Sequence, residues 1–423
     1  MAAETVTPYR PRLLDAYLDE LLAQLPGILV IGPRAAGKTT MLSRRAASTV
    51  ELDVGAQAAG FRSDPVGALR GLPEPVLLDE WQRVPEVLVA VKRAIDEQPT
   101  PNRFYATGSV HAEIEKSAWP ATGRLVRVTV HPMTVRELSG RLDGPTVFDR
   151  LVAGDRFDAP PEPPDLRGYV ELALRSGFPT PALELDGAAR TAWLESYVED
   201  LLGHDLEQLE VGTGRRHDRI RLRDYLAAYA LNSAGVPEHK TIYEAAEVNK
   251  VSAIAYDRLL SDLLVAEQVP AWSSNRLRRL VRRPKRYLID AALLAAVLRV
   301  DAQGVLDDGD LLGRLLDTFV AAQLRPELDI SRSRPRLHHL RTQGGRHEVD
   351  LLAELGGGRV IGFEIKATAA PSRTEARHLI WLREQLGERF LRGVVFHTGP
   401  ASFDLDERIS AVPIAALWSG RGA

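Results

Sequence analysis

Two short stretches of this sequence set reactive side chains at spacings that known chemistry uses. The first is Gly32-Pro33-Arg34-Ala35-Ala36-Gly37-Lys38-Thr39, continued by Thr40. It fits the pattern glycine, four residues, glycine, lysine, Ser/Thr at every fixed position. Glycines let the backbone curl so that successive N–H groups point at phosphate oxygens, at the start of a helix whose dipole favours anions. Lys38 is then expected to reach the β- and γ-phosphates of ATP, and the Thr39 hydroxyl to bind Mg²⁺. The second stretch, HEVDLLAELGGGRVIGFEIKAT, runs from His347 to Thr368. It carries Asp350 in one apolar run and Glu364-Ile365-Lys366 in the next. A strand period of two puts Glu364 and Lys366 on one face. With Asp350 they form the set that a metal-dependent nuclease uses to hold Mg²⁺ and activate water beside a phosphate. Glu-x-Lys alone is a common triplet, so its weight comes from the two amphipathic runs around it.

The elements that must position these groups are legible. ILVI at 28–31 is a buried-strand run before the glycine turn, and KTTMLSRRAA after it reads as a helix. PVLLDE (75–80) and RFYATGS (103–109) are further strands, with PEVLVAVKRAIDEQ (85–98) a helix between them. This alternation predicts a parallel sheet covered on both faces. Asp79 ends its strand and is expected to bind Mg²⁺; Glu80 is expected to polarise the attacking water. Ser109 or Thr107 is placed to bond the γ-phosphate or that water. Arg124 is a candidate for reading γ-phosphate charge, in cis or from a neighbouring subunit.

Downstream, DAPPEPPD (158–165) marks a stiff linker or exposed loop, and helical patterns follow. Residues 241–272 read helix, turn, helix, strand, which predicts a winged helix-turn-helix. The stretch SNRLRRLVRRPKRY (274–287) then holds Arg276, Arg278, Arg279, Arg282, Arg283, Lys285 and Arg286 without an acid. As a wing, these cations are expected to track a nucleic-acid backbone. From residue 305 the pattern returns to mixed α/β. The expected domains are an ATPase core (1–145), a helical lid (166–235), the winged helix (236–300) and an endonuclease-like α/β domain (305–423).

Composition bounds the rest. The formal net charge of −3 supplies no global field toward nucleic acid, so such a contact needs a local patch. The absence of cysteine excludes disulfides, thiolate metal sites and thiol nucleophiles. No apolar run approaches the roughly 18 residues of a membrane span, and the N-terminus has no apolar signal core, so a cytoplasmic protein without membrane contact is expected. Only seven of the 54 basic residues are lysines, yet Lys38 and Lys366 fall in the two candidate sites.

YRPRLL, GPRAAGKTT, LLDEWQRVPEV, ATGS and RELSG together resemble prokaryotic AAA-type ATPases that join an ATPase core to a C-terminal domain of uncharacterised function. GFPTP, WLESYVEDLLGHDL, RYLIDAALL and EVDLLAE with GFEIKAT are similar to that C-terminal part in order and spacing, so the resemblance covers nearly the whole chain. It implies an AAA-like ATPase, a winged helix and a restriction-endonuclease-like module, with Gly32 to Thr40, Asp79, Glu80, Ser109 and Arg124 as ATPase site residues. Self-association is also expected, because such enzymes often borrow an arginine from a neighbour. One departure stands out: the helix before the nuclease-like strands usually offers Glu, and here offers Asp317, a carboxylate one carbon shorter. Three readings follow: an ATPase that moves a DNA-binding module, an ATP-gated nuclease, or a switch that recruits a protein.

Overall fold

The computed structural model describes residues 8–108, 122–213, 219–273 and 282–419. The chain forms two compact units, residues 1–132 with 260–265, and residues 133–259 with 266–423. Among the described residues no helix is long and apolar enough to cross a membrane.

The first unit is built on five parallel strands, β1 (Gly27–Ile31), β2 (Ser48–Glu51), β3 (Val76–Asp79), β4 (Phe104–Gly108) and β5 (Val126–Thr129), in the order β2-β3-β4-β1-β5. All five residues of β1 are buried, as a strand covered on both faces requires. Helix α1 (Leu13–Leu22) precedes β1 and α2 (Lys38–Ser43) follows it. Next come α3 (Gly55–Ser63), α4 (Pro65–Arg70) and α5 (Val87–Glu97). Helix α5 turns Val87, Leu88, Val91 and Ile95 toward a core that also holds Leu29, Ile31, Leu78 and Trp81. The register pairs Gly27 with Phe104 and Ile31 with Gly108, so the carboxyl ends of β1 and β4 lie side by side, with β3 next in the sheet. Parallel α/β sheets bind ligands at that edge.

The second unit starts at Met133. Its first helices are α6 (Val135–Leu138) and α7 (Val147–Ala153). Arg136 makes a buried 2.8 Å ion pair with Glu327, and the Val147 N–H donates to the same carboxylate. A helical region follows: α8 (Leu166–Leu174), α9 (Pro179–Leu183), α10 (Gly187–Thr213) and α11 (Arg219–Leu231). Then come α12 (His239–Ala245) and α13 (Lys250–Asp262), and the antiparallel strands β6 (Ala266–Val269) and β7 (Lys285–Leu288). Buried Asp290 explains the RYLIDAALL motif. Its carboxylate caps α14 (Ala291–Leu298) and accepts bonds from Ser176 and Gly177, just before Phe178-Pro179.

After α15 (Ala302–Asp307) and the 22-residue α16 (Gly309–Ile330) comes a six-stranded mixed sheet. It contains β8 (Arg336–Arg341), β9 (Glu348–Leu355), β10 (Arg359–Ile365), β11 (Phe390–His397), β12 (Phe403–Asp406) and β13 (Ile409–Pro413), in the order β12-β13-β11-β10-β9-β8. Helix α17 (Arg377–Leu386) lays Leu379, Leu382 and Leu386 on one face, against Leu352, Val360 and Val395. On β10, Gly362 lies under Leu379, where a Cβ would come within 2.6 Å of that leucine's methyl. Phe363, one residue on, points to the opposite face and meets Phe148 edge-to-face at 6.2 Å. This alternation is the period of two that the sequence showed.

Candidate functional site

The phosphate loop lies between β1 and α2. Gly37 caps α2 in the left-handed region at φ +88°, where glycine carries no Cβ penalty. Gly32 is required for a different reason: a Cβ there would sit 2.3 Å from the Val130 carbonyl oxygen. Lys38, 5% exposed, donates to the carbonyls of Gly32 at 3.0 Å and Pro33 at 2.9 Å. Burial pushes its pKa down to about 8, against the pull of the Glu80 and Asp79 carboxylates. The Thr39 hydroxyl lies 3.0 Å from each Asp79 oxygen, and the Thr107 hydroxyl donates to that carboxylate as well. Arg34 is half-buried, Ala36 buried, and Ala35 and Thr40 exposed.

Glu80 follows β3 in the left-handed conformation, φ +52°, ψ +46°, and accepts a bond from the side-chain amide of Gln82. Two hard oxygen donors, Thr39 and Asp79, meet beside the lysine of a glycine loop; this donor set suits a Mg²⁺ bound to phosphate. Sequence reasoning missed Arg12. Its buried guanidinium donates to Ala36 O in the phosphate loop at 3.1 Å and to His131 O at 2.6 Å.

Arg124 does not join this site within its own chain. Strand β5 runs parallel to β1, with Val126 opposite Ile28, so Arg124 sits at the amino edge of the sheet. The phosphate loop leaves the carboxyl edge, roughly 16 Å away along the strand. Arg124 instead pairs with Asp96, near the end of α5, at 2.9 Å. Ser109 lies outside the described residues. Thr107 is buried, with its hydroxyl directed at Asp79.

A second constellation forms in the second unit, beside a cavity of about 530 Å³ lined by Asp317, Asp350, Lys366, Arg314, Arg341 and Glu348, among others. Strands β9 and β10 pair Leu351 with Phe363 and Leu352 with Gly362, so the next step in register sets Asp350 opposite Glu364. Lys366 Nζ is 2.7 Å from Glu364 and 3.7 Å from Asp350. Asp317 lies beside this cluster. It is bridged to Asp350 by Lys285, whose Nζ lies 2.6 Å from Asp317 and 3.1 Å from Asp350. Burial raises the Asp317 pKa to about 6 and pushes Glu364 well above the usual range, with the Asp350 charge adding to both. Burial works the same way on Asp350, but Lys285 and Lys366 outweigh it and hold it at about 2. Among the described residues, no group of three His, Cys, Asp or Glu side chains is placed to hold a metal ion.

The basic stretch divides. Arg276, Arg278 and Arg279 lie outside the described residues. Arg282 and Arg283 are exposed, with Arg283 2.5 Å from Glu238. Lys285 and Arg286 turn inward on β7, 1% and 6% exposed; Lys285 takes Asp317 and Asp350, Arg286 takes Asp257. Their charges are spent inside the fold and cannot follow a nucleic-acid backbone. The sequence carried a signal for Lys285: it is one of only seven lysines, and with Lys38 and Lys366 it makes three at the two sites.

Residues 25–139 match an AAA domain, residues 166–304 a domain of unknown function (DUF8612) and residues 312–417 another (DUF4143). Among solved structures, the Walker-type ATPase PABY2304 of Pyrococcus abyssi is similar with a TM-score of 0.38 and 17% identity, over 68% of this chain and 94% of that one. The ORC1 protein of Aeropyrum pernix in complex with DNA gives a TM-score of 0.30 and 14% identity, over 71% and 97%. The uncharacterized proteins Mb2031c of Mycobacterium bovis and Rv2008c of Mycobacterium tuberculosis are each 30% identical over 408 residues, 94% of this chain and 82% of theirs. The chain belongs to the same family as these two mycobacterial proteins, its AAA domain, of P-loop ATPase fold, leading into two domains of unknown function.

Proposed function

We propose that this protein binds ATP with Mg²⁺, hydrolyses it, and uses the nucleotide state to control a DNA-binding second unit. The observation that carries the ATPase part is the meeting of Lys38, Thr39, Asp79 and Glu80 at the carboxyl edge of one parallel sheet. Lys38 exchanges its bonds to the Gly32 and Pro33 carbonyls for phosphate oxygens. Thr39 and Asp79 would hold Mg²⁺, and the ion would supply charge neutralisation at the phosphates. Glu80 orients the attacking water and takes its proton. Release of Glu80 from the Gln82 amide frees the carboxylate for that role.

The DNA part rests on the order of helix α12, helix α13 and the antiparallel pair β6–β7, which is that of a winged helix-turn-helix, and on the arginines between those strands. Arg276, Arg278, Arg279, Arg282 and Arg283 remain as the phosphate-tracking set; Lys285 and Arg286 leave it. Substituting these five arginines by alanine is expected to flatten the dependence of DNA affinity on salt. An unchanged slope in a mobility-shift titration would remove DNA contact from this stretch.

The convergence of Asp350, Glu364 and Lys366 beside one cavity favours a second reading, an ATP-gated metal-dependent endonuclease. Incubation with supercoiled and linear DNA, with Mg²⁺ or Mn²⁺ and with or without ATP, separates the two. Cleavage lost in both Glu364→Ala and Lys366→Ala supports the nuclease; an ATP-responsive mobility shift without cleavage supports the grip.

A further inference from the structure

The acids of the second site converge, and five of their six oxygens already accept hydrogen bonds. Asp317 Oδ2 accepts from Lys285 Nζ at 2.6 Å, and Asp317 Oδ1 accepts from the Tyr287 hydroxyl at 2.8 Å. Asp350 Oδ1 accepts from Lys285 at 3.1 Å, and Asp350 Oδ2 from the Ile365 N–H at 3.1 Å. Glu364 Oε2 accepts from Lys366 at 2.7 Å, which leaves the buried Glu364 Oε1 as the one oxygen of the three carboxylates without a hydrogen-bond partner. A hard divalent ion needs about six oxygen ligands. Here an ammonium already fills the space between two of the three carboxylates.

Lys285 is equally committed. It is 1% exposed, and its Nζ has three acceptors, Asp317 Oδ2, Asp350 Oδ1 and the Asp350 main-chain carbonyl at 3.2 Å, matching the three N–H bonds of an ammonium. Lys285 and Tyr287 stand two residues apart on β7, so one face of that strand delivers both donors to Asp317. A guanidinium is planar and fixed in its fork, and does not present three donors from one atom. In a chain with 47 arginines and seven lysines, a lysine at this position has a reason.

We infer that Lys285 is the resident cation of this site: its ammonium takes the place between Asp317 and Asp350 that a divalent ion would need, and it closes the carboxylate set to metals while fastening β7 to α16 and β9. The site is then a charge-balanced anchor rather than a metal centre. This inference is independent of the ATPase reading, because it concerns the second unit alone.

Mn²⁺ binding to the full-length, nucleotide-free protein, counted by electron paramagnetic resonance, tests it. The stoichiometry of the unaltered protein is expected to be the same as that of Asp350→Asn and of Glu364→Gln. The paired variant Lys285→Met with Asp317→Asn removes the ammonium while keeping the pair's charge balanced. It is expected to gain one Mn²⁺ equivalent, which adding Asp350→Asn abolishes. Loss of a bound Mn²⁺ from the unaltered protein on Asp350→Asn or Glu364→Gln substitution would overturn the inference. So would a folded paired variant that binds no more Mn²⁺ than its parent.

Discussion

The Thr39 hydroxyl lies 3.0 Å from both carboxylate oxygens of Asp79, a residue forty positions downstream. The contact joins the first turn of α2 to the end of β3 and sets two hard ligands side by side. If Thr39 and Asp79 share one Mg²⁺, replacing either affects the same step. Asp79→Asn is expected to lower ATP turnover about a hundredfold, and Thr39→Ala to act in the same direction. The double variant should be little worse than the stronger single one, because coupled groups are not additive. Phosphate release against Mg²⁺ concentration measures this; strictly additive losses would separate the two residues.

Arg12 holds the phosphate loop through Ala36 and the following segment through His131. Arg12→Ala is expected to raise the KM for ATP about tenfold, the effect of losing one or two charge-assisted hydrogen bonds that position the loop. Arg12→Lys should recover part of the loss. A KM unchanged in both variants would make Arg12 a packing residue only.

Arg124 sits at the wrong edge of the sheet for its own chain's nucleotide. Arg124→Ala is expected to leave turnover within about twofold, at protein concentrations where the chain is monomeric by light scattering. A large loss there would contradict the strand register described above.

The buried Arg136–Glu327 pair fastens the chain entering the second unit to α16. Burial raises the Glu327 pKa, against the pull of Arg136. Removing Arg136 alone strands that carboxylate, and Arg136→Met is expected to cost about 3–5 kcal/mol. Adding Glu327→Gln should return part of it. Denaturant midpoints of the four proteins in the cycle test the coupling.

His339 is fully buried on β8; its ring bonds the Arg283 carbonyl at 2.8 Å, while its own backbone pairs with Pro270 and Trp272. Burial lowers its pKa from 6.5 to about 4, and the Lys285 charge adds to the shift. The unfolded chain therefore binds a proton that the folded chain refuses between those values. Stability from this residue is complete above pH 6.5 and falls as pH drops toward 4, by about 3 kcal/mol in all. The difference between the unaltered protein and His339→Phe, measured by urea unfolding at pH 7.5 and pH 5, is expected to shrink accordingly. A difference that does not change with pH would contradict it.

How far the sequence carried depends on the range of the interactions. The β1–loop–α2 segment is local: its glycines, its aliphatic strand and its lysine sit within about a dozen residues, and the structure keeps every part in place. The β9–β10 hairpin was legible for the same reason, since a period of two and a short turn set Asp350 opposite Glu364. What the sequence left open depended on long-range placement. Arg124 precedes a strand whose neighbour in the sheet is β1, and only that topology shows it at the amino edge. Lys285 looked like one more cation in a basic run, because its partners lie 32 and 65 residues further on. A run of charges does not show which members point inward; the strand period across Lys285 and Tyr287, and the rarity of lysine, were the only hints.

The most direct test of the central claim is the comparison of Glu80→Gln with the unaltered protein in two assays, ATP binding and phosphate release. Binding is expected within a few-fold of the original, because Lys38, Thr39 and Asp79 are untouched, with a loss of hydrolysis of about a hundredfold or more. Turnover at the original rate with Glu80→Gln would contradict it, and would move the catalytic base away from the end of β3.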